Sequence, residues 1–246
     1  MTNDLKFGEN NGFGRVAARW PWPENSELLD VAPFTWSLDG GGRGLIDAVI
    51  ACRPSGVLVE IGSFMGGAAR AWLQTFPELR CICVDPWGDN LVQYVHNLTN
   101  VDWAVQSYGV EQLQTHARAL GEHGPMAVVR NNLREFRDRC VLVQAGVPEV
   151  FEMLGECQLR PDIVFLDALK RQDEFIGTHE SFPDAIVTGD DWSWRSPTGE
   201  LPVREYAAMV AKQRKARIYA SRATFVISEL RHGLVLDDKH LFSTDA

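Results

Sequence analysis

The chain is short of positive charge and of cysteine. It has no long apolar run and no glycine fingerprint of the dinucleotide type. Its 24 Lys and Arg stand against 33 Asp and Glu, a formal net charge of −9. That balance excludes a general affinity for nucleic acid or for anionic membranes, which needs a basic field, and leaves only a local basic groove open. No window approaches the ~20 consecutive apolar residues of a membrane-spanning helix. The opening MTNDLKFGENNGFGRV is polar and carries no apolar signal core. The expectation is a cytoplasmic protein with neither nucleic-acid nor membrane partners. Five cysteines, Cys52, Cys81, Cys83, Cys140 and Cys157, are odd in number and irregular in spacing, and read as reduced core thiols. Cys81 and Cys83 would face one side of a strand, but no second pair follows to complete a zinc site. There is no internal repeat and no low-complexity tract. The absence of G-x-G-x-x-G argues against a nicotinamide enzyme.

What is present is an alternation of apolar strands and amphipathic helices. Hydrophobic residues make up 45% of 246 residues, enough for one sizeable α/β core. Residues 1–42, with RWPWPENSELLD and LDGGGRG, read as an irregular N-terminal cap or lid. GLIDAVIAC then reads as a helix with Leu45, Ile46, Val49 and Ile50 on one face. GVLVEIG, RCICVD, CVLVQAG, DIVFLD and AIVTGDD are continuously apolar, the pattern of parallel strands buried on both faces. Helical stretches separate them, and ARIYAS and TFVISE read as a closing strand pair. RHGLVLDDKHLFSTDA adds an edge element or a tail. The fold class is α/β with a mostly parallel, Rossmann-like sheet covered by helices on both sides.

Ligands of such sheets bind at the carboxyl ends of the strands. The first strand runs into EIGSFMGG, where Glu60, Gly62, Gly66 and Gly67 form an E-x-G-x-x-x-G glycine turn unlike the pyrophosphate cradle. Gly62 permits a tight turn and a close ligand approach. The second strand ends at Asp85, placed to accept hydrogen bonds from ribose hydroxyls, with Pro86 and Trp87 as an apolar wall beside it. The fourth strand ends at Asp167, followed by Lys170, and the fifth at Asp190 and Asp191. If these strands are neighbours, three carboxylates converge on one rim. Oxygen donors of that kind suit a hard cation such as Mg²⁺. The alternative is that the acids are solvated strand ends or a helix cap.

The segment GRGLIDAVIACRPSGVLVEIGSFMGGAARAWL resembles the opening of class I S-adenosylmethionine-dependent methyltransferases, above all the small-molecule O-methyltransferases of the catechol type. The resemblance covers roughly residues 43–229 and implies a seven-stranded methyltransferase domain over 43–246. It implies that Gly62, Ser63 and Gly66 hold the methionine part of the cofactor, with Glu60 near the amino group, Asp85 on the ribose, and Trp87 and Asp167 close by. FLDALK and GDDW resemble the metal-dependent members, which makes Asp167, Asp190 and Asp191 metal ligands and Lys170 a candidate general base. DPWGDN, NNLREF and GDDW are also similar to the macrocin and mycinamicin sugar type, whose base tends to be a histidine. That leaves His179 and His96 as rivals to Lys170. The stretch from Asn90 to about Pro125 is longer than the catechol type leads one to expect.

Eight tryptophans are many for this length. Trp20, Trp22 and Trp36 fall in the N-terminal segment, and Trp87, Trp192 and Trp194 flank the strand ends. Trp72 and Trp103 read as core. Flat apolar walls suit an aromatic, polyketide or sugar-bearing substrate. The expected activity is methyl transfer from S-adenosylmethionine to a small-molecule hydroxyl with divalent-metal help, in a possible homo-oligomer; the alternatives are a metal-independent methyltransferase of the same fold and a non-catalytic nucleoside-binding protein.

Overall fold

A computed structural model describes residues 11–24, 28–35 and 42–242. In chain order these form α1 (Phe13–Arg19), α2 (Arg43–Ala51), β1 (Val57–Ile61), α3 (Gly67–Thr75), β2 (Arg80–Asp85), α4 (Asn90–Leu98), α5 (Asp102–Tyr108) and α6 (Val110–His123). Then follow α7 (Pro125–Leu133), β3 (Cys140–Gln144), α8 (Glu149–Glu156), β4 (Ile163–Leu166), α9 (Gln172–Ser181), β5 (Ile186–Gly189), α10 (Pro202–Arg214), β6 (Arg217–Ser221), β7 (Thr224–Ser228) and β8 (Leu241–Phe242).

The eight strands make one sheet of order β3-β2-β1-β4-β5-β7-β6-β8. The pairs among β3, β2, β1, β4 and β5 are parallel, whereas β7 runs antiparallel to β5 and to β6. The sheet exceeds the expected seven strands by one. The two-residue β8 pairs with β6, the edge element offered by the last stretch of sequence. The chain reverses its winding between β1 and β4, which opens a crevice at their carboxyl ends.

Both faces of the parallel strands are dry, as their continuous apolar runs require. On one face Leu58, Cys81, Cys83, Cys140 and Phe165 pack with α2, α3, α4, α6 and α7; Trp72 of α3 meets Phe165 edge-on, with ring centroids 5.0 Å apart. On the other, Val57, Val59, Ile61, Val84 and Val164 pack with α1, α8, α9 and α10.

The N-terminal segment is less irregular than its composition implies. α1 lies against α8, where Arg15 Nε donates to Cys157 O at 2.6 Å, and Trp22 Nε1 donates to Cys140 O at 2.6 Å. These partners sit at the amino ends of β4 and β3, opposite the crevice. Residues 28–35 then climb the outside of α6 and α7. The buried Asn132 amide donates to Phe34 O at 3.2 Å and Met65 O at 2.6 Å, and His116 Nε2 lies 3.1 Å from Ala32 O. Trp36 lies outside the described residues.

Asn132→Ala should leave two buried carbonyls unsatisfied and cost about 2 kcal/mol. Urea denaturation checks this; a loss below about 0.5 kcal/mol would show that the amide is not what ties residues 28–35 to the domain.

Candidate functional site

A cavity of about 870 Å³ opens at the crevice. Its polar walls are Gly62, Asp85, Asp167, Lys170, Asp190 and Asp191, all strand-end residues legible in the sequence, and Asn90. Gly146 and Val147, at the end of β3, complete that rim.

The turn after β1 is pinned from two sides. The N–H groups of Gly62 and Ser63 both donate to Val84 O of β2, at 2.9 and 3.0 Å. Gly62 has φ +93°, and a Cβ there would overlap the carbonyl of Asp167 at the end of β4. The glycine is thus required first by a neighbouring backbone. Gly66, with φ +75°, would drive a Cβ into Leu133 of α7. Gly66 does not reach the cavity; it lets α3 and α7 approach.

Asp85 is the anchor of the second strand end. Its Oδ2 accepts from Phe64 N and its Oδ1 from Trp87 N, each at 3.0 Å. Burial raises its carboxyl above the usual range, against the pull of those two backbone donors. Two positions of positive φ, Phe64 (49°) and Trp87 (40°), flank it. Trp87 departs from the expected role of cavity wall. It is 2% exposed, and its Nε1 donates to Phe64 O at 2.6 Å, so it bolts one loop to the other. Pro86 forms the wall in its place.

Glu60 and Ser63 also lie behind the turn. Ser63 is buried and its hydroxyl donates to Glu60 O at 3.2 Å. The Glu60 side chain enters the core on the α3 face, because strand alternation sends residue 60 to the side of Leu58 and away from that of Ile61. Burial keeps its carboxyl protonated far above the ordinary range.

Asp167 and Asp190 end adjacent parallel strands and face one space. Burial, followed by the charges of Asp190 and Asp191, pushes Asp167 well up. Burial and Asp191 raise Asp190 to about 6, and its Oδ1 is buried without a hydrogen-bond partner. Lys170 Nζ lies 2.6 Å from Asp191 Oδ2 and 3.3 Å from Ala168 O. Burial works to discharge this lysine, but Asp191, Asp167 and Glu174 outweigh it and hold the ammonium form. The expected general base is therefore a fixed cation. Lys170 (φ 57°) and Asp191 (φ 63°) carry the same backbone strain as the other two loops.

The donor atoms of Asp167, Asp190 and Asp191 are not drawn together as a metal shell. Among the described residues, the one His/Cys/Asp/Glu group with every donor within 4.8 Å is Glu60, Cys81 and Cys83. The acids do meet one condition for a cation: they crowd like charges, and one buried oxygen lacks a partner.

The structure also separates the histidines from the cavity. His179 Nδ1 accepts from Arg214 Nε at 3.0 Å, and Arg214 in turn binds Ala185 O and Phe182 O at the amino end of β5. His179 ends α9 after that helix has crossed the sheet, so the carboxyl rim is out of its reach. His96 is exposed on the outer face of α4 and borders a separate groove with Gln114 and Arg118.

Several lining residues have weak sequence signals. The long insertion forms α4, α5 and α6 and supplies Leu91, Tyr94 and Trp103 as one wall. Tyr94, Trp103, Leu169 and Trp194 are 51%, 48%, 60% and 38% exposed, an apolar cluster at the mouth. Trp103 is thus a site residue, not core, while Trp192 is core, packed on Phe225 and Phe242. Glu174 is buried and accepts from Leu169 N at 2.6 Å, shaping the loop after β4.

Comparison with protein families and with curated proteins gives no match. Among solved structures the chain is similar to a caffeoyl-CoA O-methyltransferase candidate from Staphylococcus aureus, at 15% identity and TM-score 0.48 over 80% of this chain and 86% of that one. It is similar to a precorrin-6y C5,15-methyltransferase from Geobacter metallireducens, at 11% and 0.42 over 80% and 92%. It is also similar to an S-adenosylmethionine-dependent methyltransferase from Aquifex aeolicus, at 9% and 0.36 over 70% and 80%. At these identities and scores the likeness assigns no residue a role, and the fold is taken from the strand order itself. No helix among the described residues is long and apolar enough to cross a membrane.

Two outcomes test this geometry. Gly62→Ala should cost at least the roughly 1–3 kcal/mol of a strained backbone, read by chemical denaturation; a neutral result would contradict the contact with Asp167. For Asp190 the folded pKa of about 6 exceeds the ordinary 3.8, so ionisation as pH rises through that range removes stability. In metal-free buffer, Asp190→Asn should raise the melting temperature near neutral pH. It should change nothing once the pH falls below the ordinary carboxylate value. An equal effect at both would show that charge is not the cause.

Proposed function

We propose that this chain transfers a methyl group from S-adenosylmethionine to a hydroxyl of a small molecule bound in the same cavity. The observation that carries the reading is Asp85. Its carboxylate is fixed by two backbone donors at the end of β2, beside a tight glycine turn at the end of β1. A held carboxylate at a switch-point crevice is suited to a nucleoside diol. Gly62 and the backbone beside it, Asp85, Pro86 and Gly146 would hold the cofactor. The cofactor, when bound, supplies an electrophilic methyl on a positively charged sulfur.

The chain's own part is positioning and proton control. Asp167 and Asp190 face the space next to the cofactor residues. Asp190 is ionised at neutral pH, and its unpartnered Oδ1 can accept a proton or a hydroxyl hydrogen bond. Lys170 stays an ammonium and offsets the negative field of Asp191. Tyr94, Trp103 and Trp194 give the acceptor flat apolar contacts and shed water from around it. Orientation of the two reactants is the main source of rate in such a displacement.

The finer reading has Asp167, Asp190 and Asp191 holding a divalent cation such as Mg²⁺, which would lower the acceptor hydroxyl's pKa. The orphaned Asp190 oxygen favours it. The Lys170–Asp191 pair favours a second reading in which the lysine is the only cation and no metal takes part.

Calorimetry with S-adenosylhomocysteine should show binding, weakened at least tenfold by Asp85→Asn; no binding to the folded wild type at millimolar ligand would sink the proposal. Turnover after chelator treatment then decides between the two readings. Loss restored by Mg²⁺ supports the metal, and full activity in chelator removes it.

A further inference from the structure

Away from the cavity, residues scattered along the sequence meet inside the core. Cys81 and Cys83 stand two apart on β2 and share a face, and Cys140 opens β3 opposite Cys81 in the strand register. The sulfurs of Cys81 and Cys83 are 3.7 Å apart, and those of Cys83 and Cys140 3.8 Å. Glu60 pairs with Cys83 across β1 and β2. One of its carboxyl oxygens and the sulfurs of Cys81 and Cys83 all lie within 4.8 Å of one another. The three cysteines are 0% exposed and Glu60 is 2% exposed.

Two features set this cluster apart from thiols used as small core residues. Glu60 Oε2 is buried without a hydrogen-bond partner, a condition that costs roughly 1–3 kcal/mol and that an apolar side chain would avoid. The sulfur spacing also has a meaning. A tetrahedral ion at ~2.3 Å from each thiolate sets its sulfurs ~3.8 Å apart. Sulfur-rich donors select soft cations and reject magnesium.

We propose that Glu60, Cys81 and Cys83, with the Cys140 thiol beside them, form a buried binding site for one soft divalent cation of the zinc class, distinct from the cavity and independent of the methyl-transfer reading. Binding displaces protons from thiols and from the Glu60 carboxyl, and no electrons move. Two thiolates with the carboxylate leave one net negative charge on the occupied site. Cys140, beside the group, keeps its thiol proton, which avoids burying another charge. Burial of all three ligands, out of reach of any substrate, makes the role structural. The ion would tie β1 to β2 directly behind the Gly62 turn, and its loading would accompany folding.

The test uses the full chain with the exposed Cys52 replaced by Ser, unfolded under reducing conditions and refolded with one equivalent of Cd²⁺. The expected result is about one cadmium retained per chain after desalting, an ultraviolet thiolate-to-cadmium band, and a higher melting temperature. Cys83→Ser should abolish the band. Glu60→Gln should lower the cadmium affinity at least tenfold while the thiolate band persists at saturating cadmium. Cys157→Ser, Asp190→Asn and excess Mg²⁺ should leave it unchanged. Circular dichroism confirms that each variant folds, and Cys81→Ser replaces Cys83→Ser if the latter does not. A folded wild-type chain without band or retained cadmium overturns the proposal. So does a band that survives Cys81→Ser combined with Cys83→Ser.

Discussion

Everything at the candidate site depends on three strand ends closing over one glycine. The backbone of residues 62–63 donates twice to Val84 O, while Gly62 leaves room for the Asp167 carbonyl and no more. β1, β2 and β4 are thereby fixed as one rim at the point where the sheet reverses its winding. Asp85 and Asp167 inherit their positions from that closure. The Asp85 carboxylate then returns the constraint by accepting from Phe64 N and Trp87 N. Of the seven non-glycine residues with positive φ among the described residues, four, Phe64, Trp87, Lys170 and Asp191, stand in these rim loops. Such strain persists only where the surrounding contacts over-determine the backbone, which is the condition for a preorganised site.

On this frame the electrostatics are unbalanced by design of the topology. Parallel neighbouring strands deliver their last residues to the same rim, so Asp167 and Asp190 must share a space. Burial raises both carboxyls; the charge of Asp190 adds to the rise at Asp167, and that of Asp191 adds to the rise at Asp190. Lys170 answers only part of that field, because its ammonium is committed to Asp191 at 2.6 Å. The cavity is therefore an anionic pocket with aromatic walls. Four carboxylates, Asp85, Asp167, Asp190 and Asp191, line it against one lysine. The same sheet hides a second polar cluster, Glu60 with three thiols, on the face that the cavity does not use.

A large share of this was legible in the residues. Continuous apolar runs announced buried parallel strands, and the residues closing most of those runs reach one cavity. Gly62, Asp85, Asp167, Lys170, Asp190 and Asp191 all line the cavity. What failed was the inference from neighbourhood in sequence to neighbourhood in space. Ser63, Gly66 and Trp87 adjoin site residues in the chain and point elsewhere. His179 follows the Asp167 loop by one helix, and that helix carries it to the opposite end of the sheet. Trp103 looked like core and Trp192 like site, and they exchange places, because exposure depends on what packs above a residue.

The sequence by itself determined the strands, their mostly parallel character and the identity of the rim residues, since hydrophobic periodicity and strand-end chemistry are local. Only the tertiary structure decided three things. It set the protonation of Lys170, which follows from the charges that folding brings near. It set the direction of Glu60, which follows from the pleat and not from the glycine turn beside it. And it gathered Cys140 to Cys81 and Cys83, because strand register is a long-range pairing that no short spacing encodes.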